Sequence, residues 1–275
     1  MKKILITKLI ILVTLLFLVC GIASAFFMGK KMNFRFFNYN GSSKNELIFE
    51  EKYSNVKNID VNLVEEEIVV YEHNSNDIII KYYGNPDRTP RAIINGNELK
   101  IERKDEWYFN LFNFGYSGRI EIYMPSNQID KLDLSNVSGN VDVEPSVNQL
   151  QIDTVSGNID VTNSGYEANL NTVSGNIRTY GGFDEVDAET VSGNIRLTTK
   201  EDAKIDANTV SGSVRCNLYD SSVGYTVDFD TVSGQFKDLY NDQKFSGEVK
   251  TNFGNNELRF NVETVSGSFK IEEWD

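Results

Sequence analysis

The residues that could carry out chemistry in this chain of 275 residues are few and scattered. The single histidine, His73, lies in a polar stretch that predicts a surface loop. Of the two cysteines, Cys20 falls in an apolar N-terminal run, so the folded part holds one thiol, Cys216, and no internal disulfide. Paired-cysteine zinc spacing, a Gly-x-Ser-x-Gly elbow, a P-loop and a dinucleotide-binding fingerprint are absent from the sequence. We therefore predict no catalytic residue, no metal site, no cofactor and no enzymatic activity.

Basic residues recur at regular intervals, and this spacing could align them on one surface. Arg178, Arg196 and Arg215 are followed by Lys237 and Lys270 at the equivalent place in later copies of a repeated motif. Aligned on neighbouring strands, they would form a stripe able to bind an anionic envelope polymer or a lipid head group. The alternative is a solvated face whose charges are compensated by acids two residues before each motif valine. Those acids are Asp153, Glu189, Asp230 and Glu263, and the column itself begins with Asp142 and Asp160.

An aromatic-rich stretch, residues 107–116, is the second candidate for binding. Six aromatic side chains in ten residues are too many for an idle exposed loop. We expect them to plug the N-terminal end of the fold; otherwise they contact a partner, a sugar or a membrane. The residues selected for binding are Trp107, Tyr108 and Phe112.

The net charge of the chain excludes one class of partner. At −13 the chain is strongly acidic, whereas a nucleic-acid binder needs a basic face to neutralise phosphates. The net value does not exclude a local basic patch.

A repeated hexapeptide supplies the elements that position these residues. Thr-Val-Ser-Gly-Asn-Ile and its variants occur seven times, the first copies 18 residues apart. Apolar and polar residues alternate on both sides of the motif, which predicts short strands. Such a unit has room for two strands and two turns, and stacked units form parallel ladders with a continuous core. The repeat glycines are Gly139, Gly157, Gly175, Gly193, Gly212, Gly234 and Gly267.

Each motif position has a structural interpretation. We expect glycine to make a tight corner with positive φ, asparagine to form an amide ladder, and valine to be buried through a bend or bulge. The inward column after the corner is predicted to be Val141, Ile159, Ile177, Ile195, Val214, Phe236 and Phe269.

The fold class predicted from these patterns is all-β. It comprises a parallel β-solenoid of two-strand coils of about 18–20 residues, an irregular β cap at the N-terminal end, and one preceding transmembrane helix. The predicted segments are a signal anchor at 1–29, a tether at 30–55, the cap and first coils at 56–130, and regular repeats at 131–275. Strands are predicted upstream at 58–63, 67–71, 78–82, 98–102 and 119–124. Near residue 247 we expect a degenerate copy or an inserted hairpin.

The N-terminal segment predicts the location of the protein. Lysines precede an almost uncharged run from Leu9 to Met28, long enough to cross a membrane once. The C-terminal domain would then lie outside the cytoplasm. Cleavage near Ala25, followed by secretion, is the alternative.

From about residue 56 onward the chain resembles the bacterial putative-adhesin domain family of unknown function. The resemblance rests on the seven motif copies and on Arg119-Ile120-Glu121-Ile122-Tyr123-Met124-Pro125, a strand that ends in proline before the repeats. It implies a β-solenoid of the cell envelope, often beside a membrane segment, and it carries over no catalytic residue.

These patterns favour a non-enzymatic cell-surface module that binds an envelope polymer or an envelope protein, or that senses the state of the envelope. One alternative is an enzyme acting on a polysaccharide, which needs two carboxylates in a cleft. The other is a structural protein that assembles end to end through an uncapped last coil.

Overall fold

The structure is a computed structural model that describes residues 46–103, 118–219, 223–254 and 258–273. The chain divides at Ser43, and every described residue belongs to the unit Ser43–Asp275. Within it the strands are β1 (Leu47–Tyr53), β2 (Asn58–Asn62), β3 (Glu67–Glu72), β4 (Ile78–Tyr83), β5 (Arg91–Asn95), β6 (Glu98–Glu102), β7 (Arg119–Met124), β8 (Lys131–Ser138), β9 (Val141–Val143), β10 (Val147–Ser156), β11 (Ile159–Val161), β12 (Gly165–Ser174), β13 (Ile177–Thr179), β14 (Phe183–Ser192), β15 (Ile195–Thr198), β16 (Lys204–Ser211), β17 (Val214–Leu218), β18 (Tyr225–Asp238), β19 (Gln243–Ser246), β20 (Val249–Phe253) and β21 (Leu258–Glu273). A 3-10 helix spans Pro86–Arg88.

The strands form two ladders, and one strand from each makes a rung. The long ladder runs β5-β6-β2-β8-β10-β12-β14-β16-β21-β18-β20. The short ladder runs β1-β4-β7-β3-β9-β11-β13-β15-β17-β21-β18-β19. Each motif copy forms the corner between the ladders, and β18 and β21 pass through that corner as single strands. The central pairs are parallel and in register, with Thr154 opposite Thr172 and Ile159 opposite Ile177.

The order of rungs departs from the order of the chain at both ends. The rung of β2 and β3 lies between the rung of β6 and β7 and the rung of β8 and β9. At the other end, β21 lies between the rung of β16 and β17 and the strand β18, and pairs in parallel with both. At two places the chain therefore pairs with an earlier rung and not with the one that precedes it: β8 and β9 pair with β2 and β3, and β21 pairs with β16 and β17.

A reversed rung covers each end of the stack. At the N-terminal end β4 and β5 run antiparallel to β7 and β6, and β1 pairs with β4. At the C-terminal end β19 and β20 run antiparallel to β18, so the segment near Gly247 is a hairpin and not another motif copy. The turn before β19 is held by buried Asp238, whose carboxylate accepts hydrogen bonds from the Tyr225 hydroxyl at 2.6 Å and the Asn241 backbone N–H at 3.0 Å.

The core lies between the ladders and confirms the predicted inward column. All seven predicted residues, from Val141 to Phe269, are fully buried. Towards the C-terminal end the core becomes aromatic, with the rings of Phe236 and Phe269 stacked at 5.1 Å between centroids. Because these side chains stack from rung to rung, one apolar core runs through the described rungs.

The five strands predicted upstream of the repeats are confirmed within one residue at each end. Sequence reasoning missed β1 and β5. Strand β1 lies inside the segment predicted as a tether, and its pairing partner is β4.

The predicted fold class is wrong in its transmembrane helix. In the described part of the chain no helix is long and apolar enough to cross a membrane. The 3-10 helix of three residues is the one helical element there. The segment 1–29, to which the prediction applied, lies outside the described residues.

Candidate anion-binding stripe

The motif glycines form a column in which backbone contacts backbone. A Cβ built on Gly157 would lie within 3.0 Å of the carbonyl oxygen of Gly139, and the same holds for each later glycine against its neighbour. Only Gly139 among the motif glycines has a φ in the left-handed region, at +135°. The predicted positive-φ corner is therefore wrong for the other copies, where glycine is needed for close approach between rungs.

The motif threonine faces the core and the valine does not. Thr172 and Thr190 are buried, and their hydroxyls donate to the carbonyl oxygens of Gly157 and Gly175 in the preceding rung at 3.2 and 3.3 Å. The alternation thus continues unbroken into the corner, and Val232 is 70% exposed. The predicted bulge that would bury valine is wrong.

The asparagine column forms the predicted amide ladder. The side-chain oxygen of Asn140 accepts a hydrogen bond from the backbone N–H of Asn158 at 3.0 Å, and Asn158 does the same for Asn176 at 2.9 Å. Asn176 and Asn194 continue the series as far as the N–H of Ser213. These bonds fix the start of each short-ladder strand, and so the position of the residue two places after the asparagine.

The residue at this place is acidic in the first two motif copies and basic on the five following strands of the short ladder. The register pairs Arg178 with Arg196, then Arg215, Lys270 and Lys237 in turn. Lys244 on the antiparallel strand β19 faces Lys237 and extends the series. All six lie on the outer surface; the five motif residues follow a buried inward residue, and Lys244 precedes the partly buried Phe245. We call this set, Arg178, Arg196, Arg215, Lys270, Lys237 and Lys244, the basic stripe.

Two carboxylates partly neutralise the basic stripe. Asp160, one strand away, pairs with Arg178 at 3.1 Å. Glu272 contacts three of the cations, at 3.1 Å from Arg215 Nε, 3.5 Å from Lys270 Nζ and 3.9 Å from Arg196. Among the described residues no carboxylate lies within 4.0 Å of Lys237 or Lys244.

The acids expected to compensate the stripe lie elsewhere. Asp153 and Glu189 are on the outer surface of the long ladder, where Asn171 and Asn208 donate to them at 3.0 and 3.1 Å. The predicted alignment of the basic residues in one column is correct, but the acids predicted to neutralise them are the wrong ones. The ladders form opposite faces, which period-two alternation alone cannot reveal. This column begins at Ser135 and continues with the acids and amides Asp153, Asn171, Glu189, Asn208, Glu263 and Asp230.

The basic stripe ends where the same column becomes acidic. Asp142 and Asp160 face each other on β9 and β11, and with Glu67 and Arg119 they line a hollow of about 310 Å³. Burial raises the pKa of the Asp142 carboxyl, and the charges of Asp160 and Glu67 raise it further. A second hollow, of about 450 Å³, follows the Ser-Gly-Asn corners. In the part of the chain that the structure describes, no group of three or more metal-ligating side chains comes together.

The predicted site residues divide into two groups. Arg178, Arg196, Arg215 and Lys237 share one face, with Lys270 between Arg215 and Lys237 and not after them. Lys244 was missed because β19 carries no motif. A hairpin was nevertheless one of the two structures predicted for the segment near residue 247. Trp107, Tyr108 and Phe112 lie outside the described residues.

Several solved bacterial structures are similar to the chain. One is a putative adhesin from Bacteroides fragilis, at 14% identity and a TM-score of 0.46, covering 82% of this chain and 97% of that one. Another is a putative lipid binding protein from Parabacteroides distasonis, at 15% identity and a TM-score of 0.45, covering 82% and 96%. A putative cell adhesion protein from Clostridium sporogenes has 10% identity and a TM-score of 0.39, covering 83% and 100%.

No curated protein matches the chain at a significant level. The family model Toastrack DUF4097 matches residues 56–183 and 146–272. Together the two matches span all but the N-terminal segment and the last three residues, and they confirm the resemblance inferred from the motif copies. The chain belongs to the Toastrack DUF4097 family.

Proposed function

We propose that the protein is a non-enzymatic, adhesin-like binding scaffold whose basic stripe holds an anionic polymer of the cell envelope. The observation that carries this proposal is the register of six basic residues on six consecutive strands. An aligned set of cations produces a local positive potential although the chain has a net charge of −13. A ligand attracted by that potential must be anionic.

The rungs beneath the stripe favour binding without rearrangement. The strands β13, β15, β17, β21 and β18 are each bonded on both sides and packed on a buried column, so five of the six cations are displayed at fixed intervals. A surface held in its binding conformation loses less entropy on association than a flexible one. The side chains of the four stripe residues that form ion pairs, Arg178, Arg196, Arg215 and Lys270, are between 30 and 48% exposed. Their charged ends therefore reach solvent.

Capture of envelope fractions by the immobilised protein tests the proposal. The triple substitution Arg178→Glu, Arg196→Glu and Arg215→Glu should reduce capture of anionic fractions at least tenfold. A matched control is Lys131→Glu, Lys204→Glu and Arg259→Glu, which makes the same change in net charge on the outer face of the long ladder. The proposal is wrong if the two triple variants capture every anionic fraction equally well while circular dichroism shows both to be folded.

An enzyme acting on polysaccharide is the second candidate, and one observation favours it. The hollow beside the stripe holds Asp142, Asp160 and Glu67, and a carboxyl with a raised pKa is suited to act as a general acid. Incubation with envelope polysaccharides would release new reducing ends, and Asp142→Asn would abolish that release. Without any release from the native protein, this candidate fails.

A further inference from the structure

We infer that the basic stripe binds a linear polyanion lying across the strands, parallel to the axis of the stack, and that Glu272 is an internal counterion which this ligand displaces. The inference rests on the proposed function and specifies its ligand. It follows from the arrangement of the cations, from where their series stops and from the ion pairs that they make in the free protein.

The cations form a file and do not converge on a point. Neighbouring members are one strand spacing apart, about 4.8 Å, so the six residues cover about 24 Å. A small anion can contact two or three of them, whereas a polymer with charges at short intervals can contact all six. Once one charge of the polymer is bound, its neighbouring charges are held close to the next cations at a high effective concentration. Each further contact therefore adds affinity.

The acidic end of the column limits the length of the bound segment. Beyond Arg178 the next outward residues are Asp160 and Asp142, which repel an anion that extends further. At the other end β19 is the last strand of the ladder in the part of the chain that the structure describes. Affinity should therefore rise with polymer length and become constant once the polymer spans the file.

Glu272 occupies the centre of the file in the free protein. Its carboxylate contacts Arg196, Arg215 and Lys270. It therefore neutralises, in the free protein, three of the cations to which a ligand would bind. An anionic ligand competes with this carboxylate for the same three cations. Removal of its charge should strengthen binding, whereas removal of a carboxylate on the opposite face should not.

The test uses inorganic polyphosphate of defined lengths, with inorganic phosphate and neutral dextran for comparison, and measures affinity by titration calorimetry of the full chain. We expect long polyphosphate to bind at least 100-fold more tightly than phosphate, with a plateau in chain length and a steep loss of affinity with added salt. Polygalacturonate should also bind, because the stripe recognises a linear series of negative charges and not phosphorus.

The variant Glu272→Gln should increase polyphosphate affinity at least threefold. Its matched control is Glu185→Gln, which loses an ion pair with Lys204 on the long ladder and should leave affinity unchanged. Arg196→Gln should weaken binding at least threefold. Thermal melts of the three variants establish that each is folded before affinities are compared.

Other results would overturn the inference in distinguishable ways. Equal affinity for phosphate and long polyphosphate, or weaker binding by Glu272→Gln, would reject the linear ligand. If the triple variant of Arg178, Arg196 and Arg215 to Glu nevertheless loses capture of envelope fractions, the proposed function stands. If both assays are insensitive to the stripe, both proposals fail. Self-association in sedimentation that the triple variant abolishes, without polyanion binding, would instead assign the stripe to a second copy of the chain.

Discussion

At the scale of single residues, the motif glycine joins neighbouring rungs at their closest approach. The Cα of Gly175 lies against the carbonyl of Gly157, and that carbonyl also accepts the Thr172 hydroxyl. A side chain at this position would separate two strands whose backbone bonds run through the corner.

Gly175→Ala should therefore destabilise the fold by roughly 2–4 kcal/mol, because its Cβ would meet backbone that can move only by disturbing the ladder. Urea unfolding monitored by circular dichroism measures the change. Ser174→Ala, at the adjacent exposed position, serves as the control and should stay within about 0.5 kcal/mol of the native protein. Equal stability of the two variants would show that the glycine column has no packing role.

The carboxyl of Asp142 makes stability depend on pH. Burial raises its pKa in the folded state, and the facing charge of Asp160 adds to the shift. Because the folded pKa exceeds the unfolded value, ionisation of Asp142 destabilises the fold at neutral pH. That cost decreases as the pH falls through the folded pKa and is absent below the unfolded pKa, near 3.9.

Asp142→Asn should accordingly raise stability at pH 7 by roughly 1 kcal/mol, the size of a like-charge contact in water. The gain should shrink towards zero by about pH 3.5. Thermal melts across this range measure it, with Asp184→Asn, an exposed partner of Lys200, as the control. A gain that is constant with pH would mean that charge is not the cause.

At the scale of elements, β21 links rungs that are not otherwise paired. It bonds to β16 and β17 on one side and to β18 on the other, whereas β1 bonds, among the described strands, to β4 alone. The aromatic side chains Phe260 and Phe269 of β21 also lie within the core.

Deletion of residues 258–275 should prevent cooperative folding of the C-terminal rungs, because it exposes two ladder edges and the core beside them. Deletion of residues 1–53, which removes β1, should leave the rest folded. Thermal melts and limited proteolysis compare the two truncated chains. A cooperative transition in the protein that lacks β21 would contradict the linking role.

The elements also show what could be predicted from the sequence. Strand positions and the inward column follow from local alternation, and so they were correct from Val141 to Phe269. The order of rungs could not be predicted, because β16 can pair in register with any motif copy, and the choice of β21 over β18 is a matter of non-local packing. Valine was assigned to the core because it recurs, yet threonine is the buried residue, since only its hydroxyl can donate to the glycine carbonyl of the preceding rung.

At the scale of the whole folded unit, the two ladders carry different charges on their outer faces. The long ladder presents mainly carboxylates and amides, with Lys131, Lys204 and Arg259 among them, and half of the short ladder presents the basic stripe. Five residues of the stripe were predicted from the sequence because they share a motif position, whereas Lys244 was missed. Of the stripe's two counterions, Asp160 and Glu272, the second could not be predicted, since Glu272 reaches the stripe only through the insertion of β21.

The regular rungs should accept an additional copy. We expect that inserting a second copy of residues 158–175 directly after Gly175 adds one rung, lengthens the stack by about 4.8 Å and keeps both ends intact. Small-angle scattering and urea unfolding would detect a longer particle of equal or higher stability. A ten-residue insertion at the same place is the control and should destabilise the fold, because it cannot supply both strands. Equal effects of the two insertions would contradict a register-based stack.

The reversed rungs have a consequence for polymerisation. A stack of parallel rungs alone would offer matching edges at its two ends, and copies could add head to tail without limit, as in cross-β fibres. Here β5, β19 and β20 run against the strands beneath them, and the reversed β4 lies between β7 and the edge strand β1, so the parallel register is interrupted at both ends of the described stack. Lys244 and Lys250 on the final strands add charge to that edge. The reversals therefore disfavour the end-to-end assembly considered for an uncapped last coil and keep the stack to a finite length.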